Sequence, residues 1–408
     1  MTGVTHHEAA QRVELDDAAA AIASARRAAA ADRYTVEWRP LTELGDIAEP
    51  WRALAGCALD ANVFYEPAFA RAAAPVFGRG AGAILVWSAD ARRLVGFFPG
   101  RIERRRYGLT LPVLTGWTHA YGPLGTPLVA RDAAEPVIAA WLAHLAADTE
   151  CPGLVLLPFL PEHGAFAAAL GAVLRRGRMP VAAFNGHRRA LLAPLRERAH
   201  YVDEALDAHQ RKELRRAGRR LEEAGGVTFT TATEPAAVAT ALDDFLTIEA
   251  GGWKGKAGTA AACESDVARF FTAAVVDLAS EAKASIKRLV VDGRPVAAGI
   301  VLRSAGAAWF WKTAYDERFA RFSPGVLLTA ALTADLAEDR TIAQTDSCAV
   351  PEHALINRMW RERLALCDLL VAVRPQAPFR LARRLEAIRG TAIAAAKRVR
   401  ARLRSTKR

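Results

Sequence analysis

Cysteine is scarce and scattered in this 408-residue chain: Cys57, Cys151, Cys263, Cys348 and Cys367 form no Cys-x-x-Cys pair. That spacing excludes a zinc knuckle and a disulfide framework and fits a reducing compartment. The nine histidines make no ligand cluster, so no metal is expected, and His209 and His353 read as ordinary helix residues. There is no G-x-G-x-x-G after a strand, no G-x-x-x-x-G-K-[ST], no H-E-x-x-H and no G-x-S-x-G. Dinucleotide, nucleoside-triphosphate and zinc chemistry lose their usual support, as does the serine-hydrolase elbow. No apolar run reaches membrane-spanning length, and the opening MTGVTHHEAAQRVELDD lacks a basic stretch followed by an apolar core. A cytoplasmic protein is expected.

Acidic residues are missing from one place in particular. Residues 376–408 hold 11 Lys and Arg against the single acid Glu386, whereas the rest of the chain is nearly neutral at +1. The pI of about 9.8 is therefore a property of the tail, and general DNA binding is not expected. With 52% hydrophobic residues the chain can bury a large core, and its length suits two or three domains.

Residues 1–33 are Ala-rich with few large apolar side chains and predict at best a poorly anchored helix. A mixed α/β domain is expected over 34–194, with strands in YTVEWRP, AILVW, LVGFFPGRIERR and GLVLLPFL and a helix over Ala134 to Ala147. A second domain, 195–375, opens with the helical run DEALDAHQRKELRRAGRRLEEAGG. The strand VTFTTAT and the helix ALDDFLTIEAGGW come next, then three antiparallel strands turning at Asp292-Gly293 and Ser304-Ala305-Gly306. The helix at Ser323-Pro324-Gly325 follows, then a strand in TIAQTDSCA, a helix in PEHALINRMWRERL and a strand in LCDLLVAV. ILVWSADARRLVGFFPGRI and LVVDGRPVAAGIVLR are both strand, turn, strand, which suggests a distant internal duplication.

The junction WKTAYDERFARFSPGVLL is the most informative stretch. Ser323 is suited to cap the following helix, Pro324 to its first turn, and Gly325 has no Cβ to obstruct a ligand. Exposed N–H groups at such a helix start attract an anion, although a well-capped strand-to-helix turn would read the same way.

The order of helix, three antiparallel strands, loop, helix and strand resembles the GNAT acyltransferase fold. RKELRRAGRRLEEAG, EAGGWKGKAGTA, VVDGRPVAAGIVLR and KTAYDERFARFSPGVLL are similar to the branch associated with cellulose or exopolysaccharide biosynthesis (CelD/BcsL-like), which is related to FemAB-type tandem acyltransferases. NVFYEPAF in the first half resembles the degenerate partner domain. The resemblance covers roughly residues 34–375 and implies tandem GNAT-like domains, each a mostly antiparallel mixed sheet flanked by helices. It further implies acetyl-CoA or another acyl-CoA as co-substrate, held at Arg321, Ser323, Gly325, Val326 and Leu327. Where the family usually carries Q/R-x-x-G-x-G/A, this chain reads Arg321-Phe322-Ser323-Pro324-Gly325-Val326.

Transfer from a thioester needs an unprotonated nucleophile, oxyanion stabilisation and an acid for the thiolate. The resemblance implies backbone N–H groups near the end of Trp309 to Ala314 as the oxyanion donors. Asp316 and Asp346 are candidates for the base or amine anchor, since adjacent strand ends converge on one crevice, and Tyr315 for the acid. Turn, capping or packing roles would suit the same three residues. Glu249, Trp253 and Lys254 stand where a helix runs into a glycine-rich loop, with Trp253 as a wall and Lys254 as a charge anchor for an acceptor, or as parts of an exposed linker. Cys348 has no His or acid neighbour suited to activating it and reads as a buried thiol. The basic series Arg211, Lys212, Arg215, Arg216, Arg219 and Arg220 reads as a solvated helix face, or as a holder of phosphates or an acidic glycan.

The expectation is a two-domain acyltransferase acting on the amine or hydroxyl of a sugar precursor, glycan or small acceptor. A FemAB-like aminoacyl transferase and a non-catalytic module of a polysaccharide-synthesis complex are the alternatives. In the tail, Leu381, Leu385, Ile388, Ala392, Ala396, Val399 and Leu403 recur at steps of three and four beside Arg380, Arg384, Arg398 and Arg402. Such a helix either meets the inner face of an anionic membrane or packs on the body.

Overall fold

The computed structural model describes residues 33–194 and 200–405. The Ala-rich opening, Arg33 apart, lies outside the described residues. The strands are β1 Tyr34–Pro40, β2 Ala81–Ser88, β3 Leu94–Glu103, β4 Val113–Gly116, β5 Leu128–Val129, β6 Leu154–Pro161 and β7 Val181–Leu192 in the first half. In the second they are β8 Val227–Ala232, β9 Ala284–Val291, β10 Arg294–Ser304, β11 Ala307–Tyr315, β12 Gln344–Asp346 and β13 Glu362–Ala372. All belong to one mixed sheet flanked by helices, ordered β1-β2-β3-β4-β6-β13-β7-β12-β11-β10-β9-β8, with β5 beside β3.

That order is nearly a mirror image about its centre. β4 pairs β6 in parallel, as β11 pairs β12, and the other ladders are antiparallel. The last strand of each half crosses over: β7 lies beside β12, and β13 lies between β6 and β7. The internal repetition read from the sequence thus appears as two like halves of one sheet, each completed by a strand of the other.

Local chemistry explains most elements. β2 is buried along AGAILV, so it reads as an apolar run without alternation. Asp292 and Gly293 both take positive φ, 48° and 76°, the left-handed pair that a two-residue hairpin between β9 and β10 requires. The run DEALDAHQ is two helices, Tyr201–Ala205 and Ala208–Glu222, because Asp207 and Gln210 form a reciprocal capping box that starts a new helix. TIAQTDSCA supplies only the three residues of β12, and PEHALINRMWRERL is helical only over Ala354–Met359. Its RERL enters β13, which gains ladders on both edges.

NVFYEPAF is an architectural string. The Asn62 side chain caps the turn at Phe64 N and donates to the carbonyls of Leu124 and Thr126. Buried Glu66 accepts from Ser304 Oγ at 2.5 Å and pairs with Lys283 at 2.9 Å, both in the second half. Phe69 meets Phe270 and Trp311 edge-on at 5.3 and 5.6 Å between ring centroids. One apolar core therefore runs through both halves.

Candidate active site

β11 and β12 share a ladder only over Ala307–Trp309 and Gln344–Asp346. Beyond it β11 continues to Tyr315 with β10 on one edge, while the chain after β12 turns away through Ser347 and Cys348, the latter at φ 52°. The parting strands leave a cavity of about 300 Å³ lined by Phe310 to Tyr315, Ser347 to Ala349, and Ile248, Glu249, Trp253 and Lys254. An unpaired strand edge beside a cavity is where backbone donors can serve a ligand oxygen.

Lys312 is the charged residue set into this wall, in a strand that otherwise reads AAWFW-TAY. Its Nζ stands 4.6 Å from the centre of the Tyr121 ring. Burial, followed by the charge of Lys254, pulls its pKa from 10.5 down to about 8. Lys254 donates to Glu249 Oε1 at 2.6 Å, and Glu249 Oε2 accepts from Ala261 N at 2.9 Å. Behind the wall, half-buried His119 is pushed down to about 3 by desolvation and by Lys312, and so stays neutral.

Of the residues singled out in the sequence, Glu249, Trp253, Lys254 and Tyr315 come together around this cavity. The stretch IEAGGWKGKAG is not an open glycine-rich loop: the helix Pro235–Gly251 is followed at once by the short helix Trp253–Lys256. Glu317 staples it by accepting from Trp253 N at 2.6 Å and Lys256 Nζ at 2.7 Å. The Trp253 side chain remains 61% exposed at the rim. Cys348 lines the cavity, and burial raises its thiol pKa well above the ordinary value, so the thiol is kept protonated. His353 also lines it and caps the helix Ala354–Met359, accepting from Ile356 N at 3.4 Å, which corrects its reading as an ordinary helix residue.

The two aspartates stand elsewhere. Asp316 caps a turn, accepting from Arg318 N at 3.0 Å and pairing with the Arg318 and Arg294 side chains. Asp346 is buried in a short ion pair with Arg189 of β7 and accepts from Cys348 N at 2.9 Å. Burial alone would lower the guanidinium pKa of Arg189, and Asp346 more than offsets it. Asp346 thereby fixes the turn that carries Cys348 to the cavity and ties β12 to the crossed strand.

At the head of the helix Pro324–Glu338, Ser323 lies in the left-handed region and makes no side-chain cap, correcting its reading as a capping hydroxyl. The N–H groups of Val326 and Leu327 donate to Ser323 O at 2.9 and 3.2 Å. A Cβ on Gly325 would stand 3.1 Å from the Tyr315 ring, so the glycine lets that ring lie against the helix start. Two guanidiniums flank Phe322 here, Arg321 at 4.6 Å and Arg220 of the basic helix at 5.8 Å. The basic helix crosses this helix near Leu327, 3.9 Å from where a Cβ on Gly218 would be.

Residues 208–351 match the family model described as Acetyltransferase (GNAT) domain. Over that segment the chain is similar to a GNAT acetyltransferase domain. No curated protein matches it significantly in sequence. Among solved structures it is similar to FemX, at 9% identity over 82% of this chain and 98% of that one, with a TM-score of 0.56. It is also similar to the C-terminal domain (DUF2156) of a putative lysylphosphatidylglycerol synthetase from Agrobacterium fabrum, at 11% identity, 80% and 92% coverage and a TM-score of 0.48. A third is a tandem GNAT protein from the clavulanic acid biosynthesis pathway, at 14% identity, 84% and 100% coverage and a TM-score of 0.40. The FemX likeness is one of fold. The GNAT match spans the basic helix, the parting of β11 and β12 and the cavity lining as far as Ala349, and it implies an acyl-CoA co-substrate.

Lys312 opens the motif KTAYDERFARFSPGVLL, whose pattern assigns it no role. The available signal was its place in an aromatic strand, where an unpaired charge is costly. No sequence pattern could reveal the Arg189–Asp346 pair, whose members are 157 positions apart and meet only because β7 crosses over.

Proposed function

We propose that the protein transfers an acyl group, an acetyl group in the first instance, from acyl-CoA to an amine or hydroxyl of a sugar precursor, a polysaccharide-related molecule or another small acceptor. The observation that carries the reading is the unpaired edge of β11 over a cavity with Lys312 in its wall. The acyl carbonyl would take its hydrogen bond from that edge. Uncharged Lys312 would accept the proton of the attacking amine or hydroxyl as the new bond to the carbonyl carbon forms and the carbon–sulfur bond breaks. Tyr315 would return a proton to the departing thiolate. Glu249 would keep Lys254 charged and in place, so that Lys254 sustains the lowered pKa of Lys312 and, with Trp253, meets the acceptor.

For the co-substrate, Arg321 and Arg220 at the head of the Pro324 helix would take the phosphates, with Ser323, Gly325, Val326 and Leu327 forming the backbone surface they rest on. The acceptor class follows the CelD/BcsL-like resemblance, and the division at 34–194 and 195–375 is kept as the partition into a partner half and a catalytic half. Calorimetric titration with acetyl-CoA, then thiol release with a panel of amino sugars, tests the reading. Failure to bind any acyl-CoA would remove it.

The basic helix supports a second reading, FemAB-like aminoacyl transfer from charged tRNA, because its row of Lys212, Arg215, Arg219 and Arg220 is open to a polyanion. Tight binding of aminoacyl-tRNA without affinity for acyl-CoA would favour it. Acyl-CoA binding with no turnover on any acceptor would point instead to a non-catalytic module.

A further inference from the structure

The basic tail forms the helix Phe379–Ser405, and the structure decides which way its first half faces. Ala382 is fully buried and Glu386 is 2% exposed. Glu386 accepts from Arg106 Nη2 at 2.6 Å and from the Tyr107 hydroxyl, and lies 3.5 Å from Arg389. Burial would raise its carboxyl pKa, but Tyr107 and Arg106 more than offset this and hold it low. The one acid of the tail is thus turned inward and neutralised. The opposite face carries Leu381 at 46% and Ile388 at 63% exposure, with Arg380, Arg383 and Arg384 exposed around them.

This seated helix roofs a cleft of about 890 Å³ in the first half, whose lining includes Thr115 to Thr118, Phe159, Phe184 to His187 and, from the helix, Glu386 and Gly390. The cleft opens where β4 and β6 part, the counterpart of the cavity between β11 and β12, and Phe159 has φ 50° where Cys348 has 52°.

We propose that the outward face of the C-terminal helix is a docking surface for an anionic lipid bilayer. Exposed apolar side chains in a stripe flanked by arginines, with the only carboxylate withdrawn, match a surface of negative headgroups above an apolar layer. A docked bilayer needs both features, whereas a nucleic acid needs only the charge. The Glu386 latch keeps the stripe outward, so docking sets the first-half cleft about one helix diameter, ~10 Å, from the headgroups. A ligand entering that cleft would then come from the membrane face.

The test is co-sedimentation of the full chain with vesicles of phosphatidylcholine alone or with phosphatidylglycerol, at low and high salt. Wild type is expected to pellet only with anionic vesicles, and less at high salt. Leu381→Asp/Ile388→Asp, which alters two exposed positions and leaves the latch, is expected to lose at least about tenfold in partitioning while keeping its melting temperature. Glu386→Gln is expected to keep vesicle binding, since the outward face is unchanged. Equal pelleting of wild type and the double variant, no pelleting at low salt, or displacement of the protein from vesicles by an RNA duplex would overturn the proposal. Acyl-CoA affinity of the same variants, measured by calorimetry, reports separately on the acyl-transfer reading.

Discussion

Replacing Lys312 by methionine tests the chemistry most directly, because it keeps the length and removes the titrating amine. With a pKa of about 8, roughly one Lys312 in ten is uncharged at pH 7; at the ordinary 10.5 it would be about one in three thousand. Wild-type kcat/KM should therefore rise with pH and level off just above 8, the uncharged form being the one that accepts a proton. Lys312→Met should lower kcat by roughly 10² to 10⁴ and abolish this limb while acetyl-CoA still binds within about twofold. Lys254→Met, by removing the neighbouring charge, should move the limb upward.

The same shift bears on stability. The folded state holds Lys312 less protonated than the unfolded state between about pH 8 and 10.5, so stability rises with pH across that window. Below it the charge is a standing cost, at most about 3 kcal/mol and less after screening through the open cavity. Lys312→Met should thus melt higher than wild type at pH 7 in a calorimetric scan. A variant with wild-type turnover, or a limb that ignores both substitutions, would refute the assignment.

Tyr315→Phe should retain acyl-CoA binding and lose turnover by about 10² or more if its hydroxyl protonates the thiolate, as steady-state kinetics would register. Arg220→Ala/Arg321→Ala should weaken acetyl-CoA at least about tenfold and leave acetyl-pantetheine, which lacks the phosphates, unchanged; equal losses would separate these arginines from the phosphates. Asp346→Asn leaves Arg189 buried and unpaired, and urea titration should report a loss of about 3–5 kcal/mol.

Much of the second half was legible in the chain. The turns at Asp292-Gly293 and Ser304-Ala305-Gly306, the three strands they join and the helix after Ser-Pro-Gly follow from local rules of backbone sign and apolar period. β7 was hidden for a local reason: Asn185-Gly186 in VAAFNGHRRALL looks like a turn, whereas Asn185, at φ 53°, sits inside the strand where its register with β13 shifts. The helix Ser265–Ser280 was missed although its Val267, Phe270, Phe271, Ala274, Val275 and Leu278 recur at helical spacing. In the site, Tyr315 and the Glu249, Trp253 and Lys254 group were readable from the ends of elements. Asp316 and Asp346 were placed by the same argument, but Asp316 is engaged by its near neighbour Arg318 and by Arg294, and Asp346 by the distant Arg189.

The crossing of β7 and β13 also bears on how the chain is made. During synthesis the first half emerges with β6, which ends at Pro161, still lacking its neighbour β13, which begins only at Glu362. Meanwhile β7 has left its own half and waits for β12 and β13. A ribosome adding about 5–20 residues per second needs on the order of ten seconds or more to deliver that last strand. Throughout that interval the nascent chain presents an apolar strand edge, and a holding chaperone would be most useful then. A premature stop before Ala372 would leave both halves unfinished rather than one, because β13 completes the pairing of both β6 and β7.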